Sequence, residues 1–318
     1  MSELPSYDEL PPAPNGGRSG WGLFGPDDNV GLFNLQGPAE VLAGASLVRK
    51  GAVFPLDAPI DAFTPPLAQT RGTPRPTVLH RKGTIGFDDV IDNFYPQASS
   101  QWDSLAHVGY APNVFYNGVT EDDIIAGRRN TIEHWAKKGI VGRAVLLDMV
   151  RTLADDGRPY SPGDSVGFTA DDLELARKRA GVEFAPGDVL LVHTGFAAWY
   201  ADQSESDRFT MPHQLKTAGI DHSEEVARYL WNSHASAIAT DTFAVEVWPP
   251  DFRPETSPFG FMHFTLIGLF GMALGELWSL KDLADDCAAD GVYEMMFVSA
   301  PLHNIGGVGS PPNAIAIK

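Results

Sequence analysis

Cysteine is almost missing from this chain: its 318 residues include one, Cys287. A single thiol excludes an intramolecular disulfide and any metal site built on a cysteine cluster. Its place near a helix end reads as an incidental thiol, not a nucleophile. Basic residues are also scarce, with 23 Lys and Arg against 41 Asp and Glu, a formal charge of −18. That balance argues against nucleic acid as the main partner, because phosphate binding needs a basic face. It favours solubility and carries no information about substrate. The opening stretch MSELPSYDELPPAPNGGRSG has neither an apolar core nor a basic n-region. It therefore does not read as a signal peptide, and the cytosol is the expected compartment. The most apolar run, Phe259 to Leu280, is about long enough to span a bilayer, but His263 and Glu276 lie inside it and no basic cluster flanks it. It reads as a buried helix, so no membrane partner is expected. No strand, glycine loop and Lys-Ser/Thr arrangement accompanies Gly306, Gly307 and Gly309, which speaks against a nucleotide site.

What is present describes a globular α/β protein, 43% hydrophobic and 20% charged. Residues 1–20 are rich in Pro, Gly and Ser and are expected to form an extended N-terminal arm, with residues 21–318 as one domain. Pro38 opens a helix of about ten residues that carries Val41, Leu42, Ala45 and Leu47-Val48 inward and ends at Gly51; Ala52 to Leu56 reads as a short strand. Residues 57–96 are proline-rich and irregular, with strand-like pieces at 76–80 and 83–87, and suit a pocket wall. Beyond them, apolar strands at 144–149, around VLLVHTG and at 235–241 alternate with helices at 169–180 and 223–233. A long apolar helix around 267–280 and a final strand at 292–300 complete the reading. There is no internal repeat and no linker that would cut the chain in two.

The stretch of most chemical interest is QASSQWDSLAHVGY, Gln97 to Tyr110. It places Asp103 four residues before His107, with Gln101 and Trp102 just ahead. A D-x-x-x-H pair alone is weak evidence, since such pairs on a helix are often plain surface hydrogen bonds. The residues by themselves leave other readings open: His263 as a satisfied core histidine, Glu276 as a cap or salt-bridge partner, Trp102 as core or as a pocket wall. His80 and Arg81 could line a pocket, and the other histidines show no ligand spacing.

The segment resembles the signature H-x-G-T-H-x-D-x-P-x-H of the metal-dependent cyclase superfamily, which includes bacterial kynurenine formamidases, isatin hydrolase and dienelactone-type hydrolases. Asp103 and His107 fall on its Asp and last His; Gln97 and Gln101 stand where the leading histidines would be, and Leu105 replaces the proline. WGLFGPDDNVGLFNL, GIVGRAVLLDM, GDVLLVHTG, ATDTFAVEV, GELWSLKDLADDC and FVSAPLHNIGGVGSPPNAIAIK extend the resemblance to nearly the whole chain from about Gly20. It implies a swivelling β/β/α fold, a homo-oligomer, one or two divalent ions, and hydrolysis of amide, lactam or lactone bonds in a small-molecule substrate. It also implies Asp103 as a metal ligand, His107 as general base, and His263 and Glu276 as the C-terminal pair of ligands.

Replacing imidazoles by amides matters physically. A site of Gln101, Asp103, Glu276 and His263 would offer mostly oxygen donors and favour Mn²⁺ over Mg²⁺ or Zn²⁺, or hold no metal. Two other functions stay open at this point: a metal-free cyclase, lyase or isomerase using His107 for acid–base chemistry, and a non-catalytic small-molecule binding protein.

Overall fold

Near-continuous apolar runs have no polar face to offer water, so their strands must be covered on both sides. Residues 144–147, 189–192 and 237–239 obey this rule and are fully buried. The structure, a computed structural model, describes residues 4–14 and 16–318. Its strands are β1 (Val53–Pro55), β2 (Arg75–His80), β3 (Phe87–Asp92), β4 (Gln101–Asp103), β5 (Ile140–Asp148), β6 (Gly167–Phe168), β7 (Val189–His193), β8 (Gly219–Ile220), β9 (Ala237–Thr240), β10 (Ala273–Glu276), β11 (Glu294–Ser299), β12 (Gly309–Ser310) and β13 (Ala314–Ile317). Nine of them form one sheet in the order β1-β13-β11-β5-β7-β9-β10-β4-β12. The run β5-β7-β9-β10 is parallel, and the outer pairings are antiparallel.

The helices are α1 (Pro38–Ala45), α2 (Glu121–Ile125), α3 (Glu133–Lys138), α4 (Met149–Asp155), α5 (Ala170–Ala180), α6 (Phe196–Ala201), α7 (Glu205–Thr210), α8 (Glu224–Asn232), α9 (Met262–Leu266) and α10 (Lys281–Asp290). α5 begins where expected: the Thr169 hydroxyl accepts from the Asp172 backbone N–H, and the Asp172 carboxylate accepts from the Thr169 N–H in return. It ends at Gly181, which takes the left-handed conformation. α8 buries Val226, Ala227, Leu230 and Trp231. The amino-terminal segment lies against this helix: Tyr7 is buried, its backbone N–H donates to Asn232 Oδ1, and Trp231 Nε1 donates to the Pro5 carbonyl. Residues 1–3 and 15 of the expected arm lie outside the described residues. Among the described residues, no helix is long and apolar enough to cross a membrane.

Four expectations are corrected. α1 is shorter than ten residues and turns Leu42 and Ala45 outward, while Gly44 faces in. A Cβ at Gly44 would stand 2.3 Å from the Gly142 carbonyl oxygen, so the close approach of α1 to β5 replaces the apolar stripe that was looked for. The second strand-like piece is 87–92, not 83–87; residues 81–86 form the turn of the hairpin. The strand at 294–299 is not the last one, because β12 and β13 follow it. The run Phe259–Leu280 is not one helix: α9 stops at Leu266, the chain loops through Gly271 at φ 69°, and 273–276 returns as a strand.

At the carboxyl ends of β5, β7 and β9, the His193 ring is held between two acids. Its Nδ1 lies 3.1 Å from Asp148 Oδ1 and its Nε2 lies 3.7 Å from Asp241 Oδ2. Burial alone would lower the imidazole pKa, but Asp241 and Asp148 outweigh it and hold the pKa above its ordinary value. A group raised in this way stabilises the fold fully below its unfolded pKa of about 6.5, and the contribution is lost as pH rises through the folded value. The melting temperature is therefore expected to fall as pH is raised above about 6.5, and to fall less steeply in His193→Gln. Identical slopes for the two proteins would show that the His193 ion pairs contribute nothing.

Candidate active site

β4 sits between β10 and β12, and its alternation sorts the central motif onto two faces. Trp102 points into the core, where it is fully buried, donates to Ser299 Oγ at 2.9 Å and packs edge-on against Trp278. It is core and not a pocket wall. Gln101 and Asp103 share the opposite face. The register pairs Gln101 with Glu276 across the strands, and Gln101 Nε2 donates to Glu276 Oε2 at 2.7 Å. Beyond Asp103 the chain turns instead of forming a helix, with the His107 backbone N–H donating to the Ser104 carbonyl. The turn swings the His107 ring back so that Nε2 lies 3.6 Å from Asp103 Oδ1.

His263 and Glu276 meet because the apolar run reverses. Thirteen residues apart on one straight helix, they would be separated by about 20 Å. With His263 on α9 and Glu276 on β10, His263 Nε2 is 3.1 Å from Glu276 Oε1 and 3.9 Å from Asp103 Oδ2. One ligand atom from each of Asp103, His263 and Glu276 can be chosen so that all lie within 4.8 Å of one another, and all three residues are buried.

The other ring nitrogen of His263 is held by a residue the sequence reading passed over. Glu246 Oε1 lies 2.5 Å from His263 Nδ1, and Glu246 Oε2 lies 2.9 Å from His222 Nε2. The same carboxylate accepts the backbone N–H groups of Met262 and His263 at the start of α9. It is aimed inward by two successive residues with left-handed backbone, Ala244 at φ 66° and Val245 at φ 61°. That conformation is an outlier for a β-branched residue and is held only where the surroundings over-determine it. Leu277, directly after Glu276, is left-handed as well.

The electrostatics follow from crowding three buried carboxylates around one imidazole. Burial, then the charge of Glu276, push the Asp103 carboxyl well above its ordinary range. Burial works the same way on Glu276 and Glu246, but their bonds to His263, and for Glu246 first that to His222, bring both below the ordinary value. His263, which burial alone would keep neutral, is raised to about 10 by Glu246 and Glu276. His107 moves the other way, down to about 4, through burial and then the nearby positive charges of Arg71 and His263.

No donor satisfies either carboxylate oxygen of Asp103, or Gln101 Oε1, although all three atoms are buried. An unpaired buried carboxylate is costly. The orphaned atoms are oxygen acceptors beside an imidazole, and the carboxylates outnumber the cationic side chains of the cluster. This donor set fits a divalent cation, with Asp103, Glu276, His263 and Gln101 as the residues that would hold it.

The Cyclase family model matches residues 54–247, more than half of the chain. The chain belongs to the Cyclase family. A crystal structure of a novel cyclase is 31% identical over 94% of this chain and 99% of its own, with a TM-score of 0.82. Isatin hydrolase A from Labrenzia aggregata, bound to benzyl benzoate, is 16% identical at a TM-score of 0.58, over 86% of this chain and 94% of its own. Isatin hydrolase A from Ralstonia solanacearum is 15% identical at a TM-score of 0.54, over 84% and 92% respectively. These last two likenesses show the shared fold. No curated protein matches the chain.

Of the residues singled out in the sequence, Gln101, Asp103, His107, His263 and Glu276 come together. His80 does not join them in this chain, being exposed on β2. Gln97 packs beside Gly309, and its carbonyl accepts from Arg71 Nη1. Glu246, His222 and Arg71 were missed. A lone acid in the apolar stretch FAVEV was the available signal for Glu246, since such an acid needs a partner; His222 and Arg71 carry no local signature.

A carboxylate on the far nitrogen of a metal-binding histidine fixes its tautomer and raises its basicity. Glu246→Gln is accordingly expected to weaken metal binding about 10- to 100-fold, read by competition with a chromophoric chelator. An unchanged affinity would remove Glu246 from the site.

Proposed function

We propose that this chain hydrolyses a small cyclic or acyl amide, lactam or lactone, with a divalent ion held by Asp103, Glu276, His263 and Gln101 and with His107 as general base. The observation that carries the reading is the orphaned Asp103 carboxylate beside a neutral histidine. The ion would supply Lewis acidity, acidifying water and polarising the substrate carbonyl. Three oxygen-donor residues against one nitrogen favour Mn²⁺ over Mg²⁺ or Zn²⁺.

His107 is the member of the cluster that keeps contact with solvent, its side chain 22% exposed against 0% for Asp103. A substrate entering from that side meets the imidazole first. With its pKa depressed, the ring is unprotonated near neutrality and free to accept a proton from the attacking water. It then returns that proton to the leaving nitrogen or oxygen. Asp103 Oδ1, facing Nε2, orients the ring. The buried faces of Trp102 and Leu105 behind the motif exclude bulk water from the rear of the site. That two proteins of this fold are isatin hydrolases accords with hydrolytic chemistry at this position.

A second reading, acid–base chemistry without metal, is favoured by one observation: both ring nitrogens of His263 face carboxylates, Nδ1 that of Glu246 and Nε2 that of Glu276. Elemental mass spectrometry of the purified protein separates the two. About one divalent ion per chain, lost in Asp103→Ala, is expected; no ion even after soaking in Mn²⁺ would favour the second reading. In His107→Asn the ion is expected to remain while kcat falls about 10²- to 10⁴-fold. Full turnover in that variant would sink His107 as the base.

A further inference from the structure

Arg71 stands in the irregular stretch between β1 and β2, and the central motif sets its place. Its Nη1 donates to the backbone carbonyl of Gln97. The Gln97 side chain packs on Gly309, where a Cβ would stand 2.5 Å from Gln97 Nε2. Gly309 is the residue that β12 pairs with Asp103 of β4. The guanidinium is thereby tied to the strand pair that carries the site. After burial, its charge is the largest cause that lowers the His107 imidazole, and the Asp103 and Glu276 carboxylates feel it too.

A missing partner sets Arg71 apart. Arg143, Arg151 and Arg177, partly buried like it, each pair with an acid at 2.6 to 2.8 Å. Among the described residues no carboxylate pairs with Arg71, and Nη1 alone of its guanidinium makes a hydrogen bond. Nε and Nη2 are not sealed from solvent. The buried acids of the cluster do not need this arginine. Asp103 and Glu276 would between them balance a divalent ion, and Glu246 is held by two ring nitrogens and two backbone N–H groups. In a chain with 41 acidic and 23 basic side chains, a half-buried guanidinium with an unused donor edge is a charge left for a group from outside.

We infer that Arg71 receives a carboxylate of the substrate on its Nε–Nη2 edge, which narrows the substrate class to small amides, lactams or lactones that carry a carboxylate. The inference rests on the hydrolase reading above. The planar fork of a guanidinium matches a carboxylate with two parallel hydrogen bonds, which fixes orientation as well as affinity. The chain carries −18 and repels an anion over most of its surface, so an anionic substrate needs a local cation to hold it. Arg71 supplies that cation on the side of His107.

The test uses paired probes, each a carboxylate and its uncharged carboxamide: pyroglutamate for lactams, γ-butyrolactone-γ-carboxylate for lactones and N-acetylglycinate for acyl amides. Affinity is read by calorimetry and turnover by chromatography. Both are measured on the full chain and on Arg71→Gln and Arg71→Lys, whose folding circular dichroism verifies. In the wild type the carboxylate of at least one pair is expected to bind about 10- to 100-fold tighter than its carboxamide, as a hydrogen bond to a charged group allows. Arg71→Gln is expected to bring that ratio to about one. Arg71→Lys keeps the charge without the fork, and its ratio is expected to fall between the two. A merely structural arginine would weaken both members of a pair alike and leave the ratio unchanged. An arginine acting on the reacting carbonyl would lower kcat for both alike. Either result, or a wild type without the preference, would overturn the inference. Preference without turnover of any probe would count against hydrolysis and still support the role of Arg71; turnover without preference would do the reverse.

Discussion

Three carboxylates are buried around one imidazole, and much of the site's construction answers that single electrostatic problem. Asp103, Glu246 and Glu276 are closed off from bulk solvent, and His263 reaches only two of them within hydrogen-bond distance. Glu246 is stabilised on every side, by two ring nitrogens and two backbone N–H groups. Glu276 has His263 and the Gln101 amide. Asp103 has no donor on either oxygen, the rings of His107 and His263 standing 3.6 and 3.9 Å away. The imbalance falls on the one acid that faces His107, so the carboxylate most in need of a positive charge also stands beside an imidazole held neutral.

The sheet explains how such a cluster is held. Register between β4 and β10 sets Gln101 against Glu276, and a shift of one residue would send both into the core and bring Trp102 to the site face. The buried aromatic contacts of Trp102 with Phe33, Trp135 and Trp278 resist that slip. Packing on one face of β4 therefore fixes the chemistry on the other.

Much of this was legible beforehand. Strands β5, β7 and β9 announced themselves because aliphatic runs without a polar face have one stable environment, and α5 because Thr169 and Asp172 form a capping box at the expected spacing. Asp103, His107, His263 and Glu276 were found through resemblance to a known motif. The Phe259–Leu280 run misled because a buried helix and a buried strand share one composition, which periodicity cannot separate; Gly268, Gly271 and Gly275 were the signs of a break. Glu246 was out of reach because its direction depends on left-handed backbone at Ala244 and Val245, residue types that seldom adopt it. The placement of His80 depends on the hairpin leaving the body, which its alternating, two-sided sequence does not declare.

The two halves of the cluster come from very different distances along the chain. His263 lies 13 residues from Glu276 and 17 from Glu246, whereas the Gln101–Glu276 bond spans 175. Local contacts of the first kind close cheaply and early in folding, while the second kind waits for the whole sheet to assemble. A ligand that needs both Asp103 and Glu276 can recognise only the finished protein, so its binding free energy adds directly to the stability of the native state. A ligand held there would latch the closing sheet.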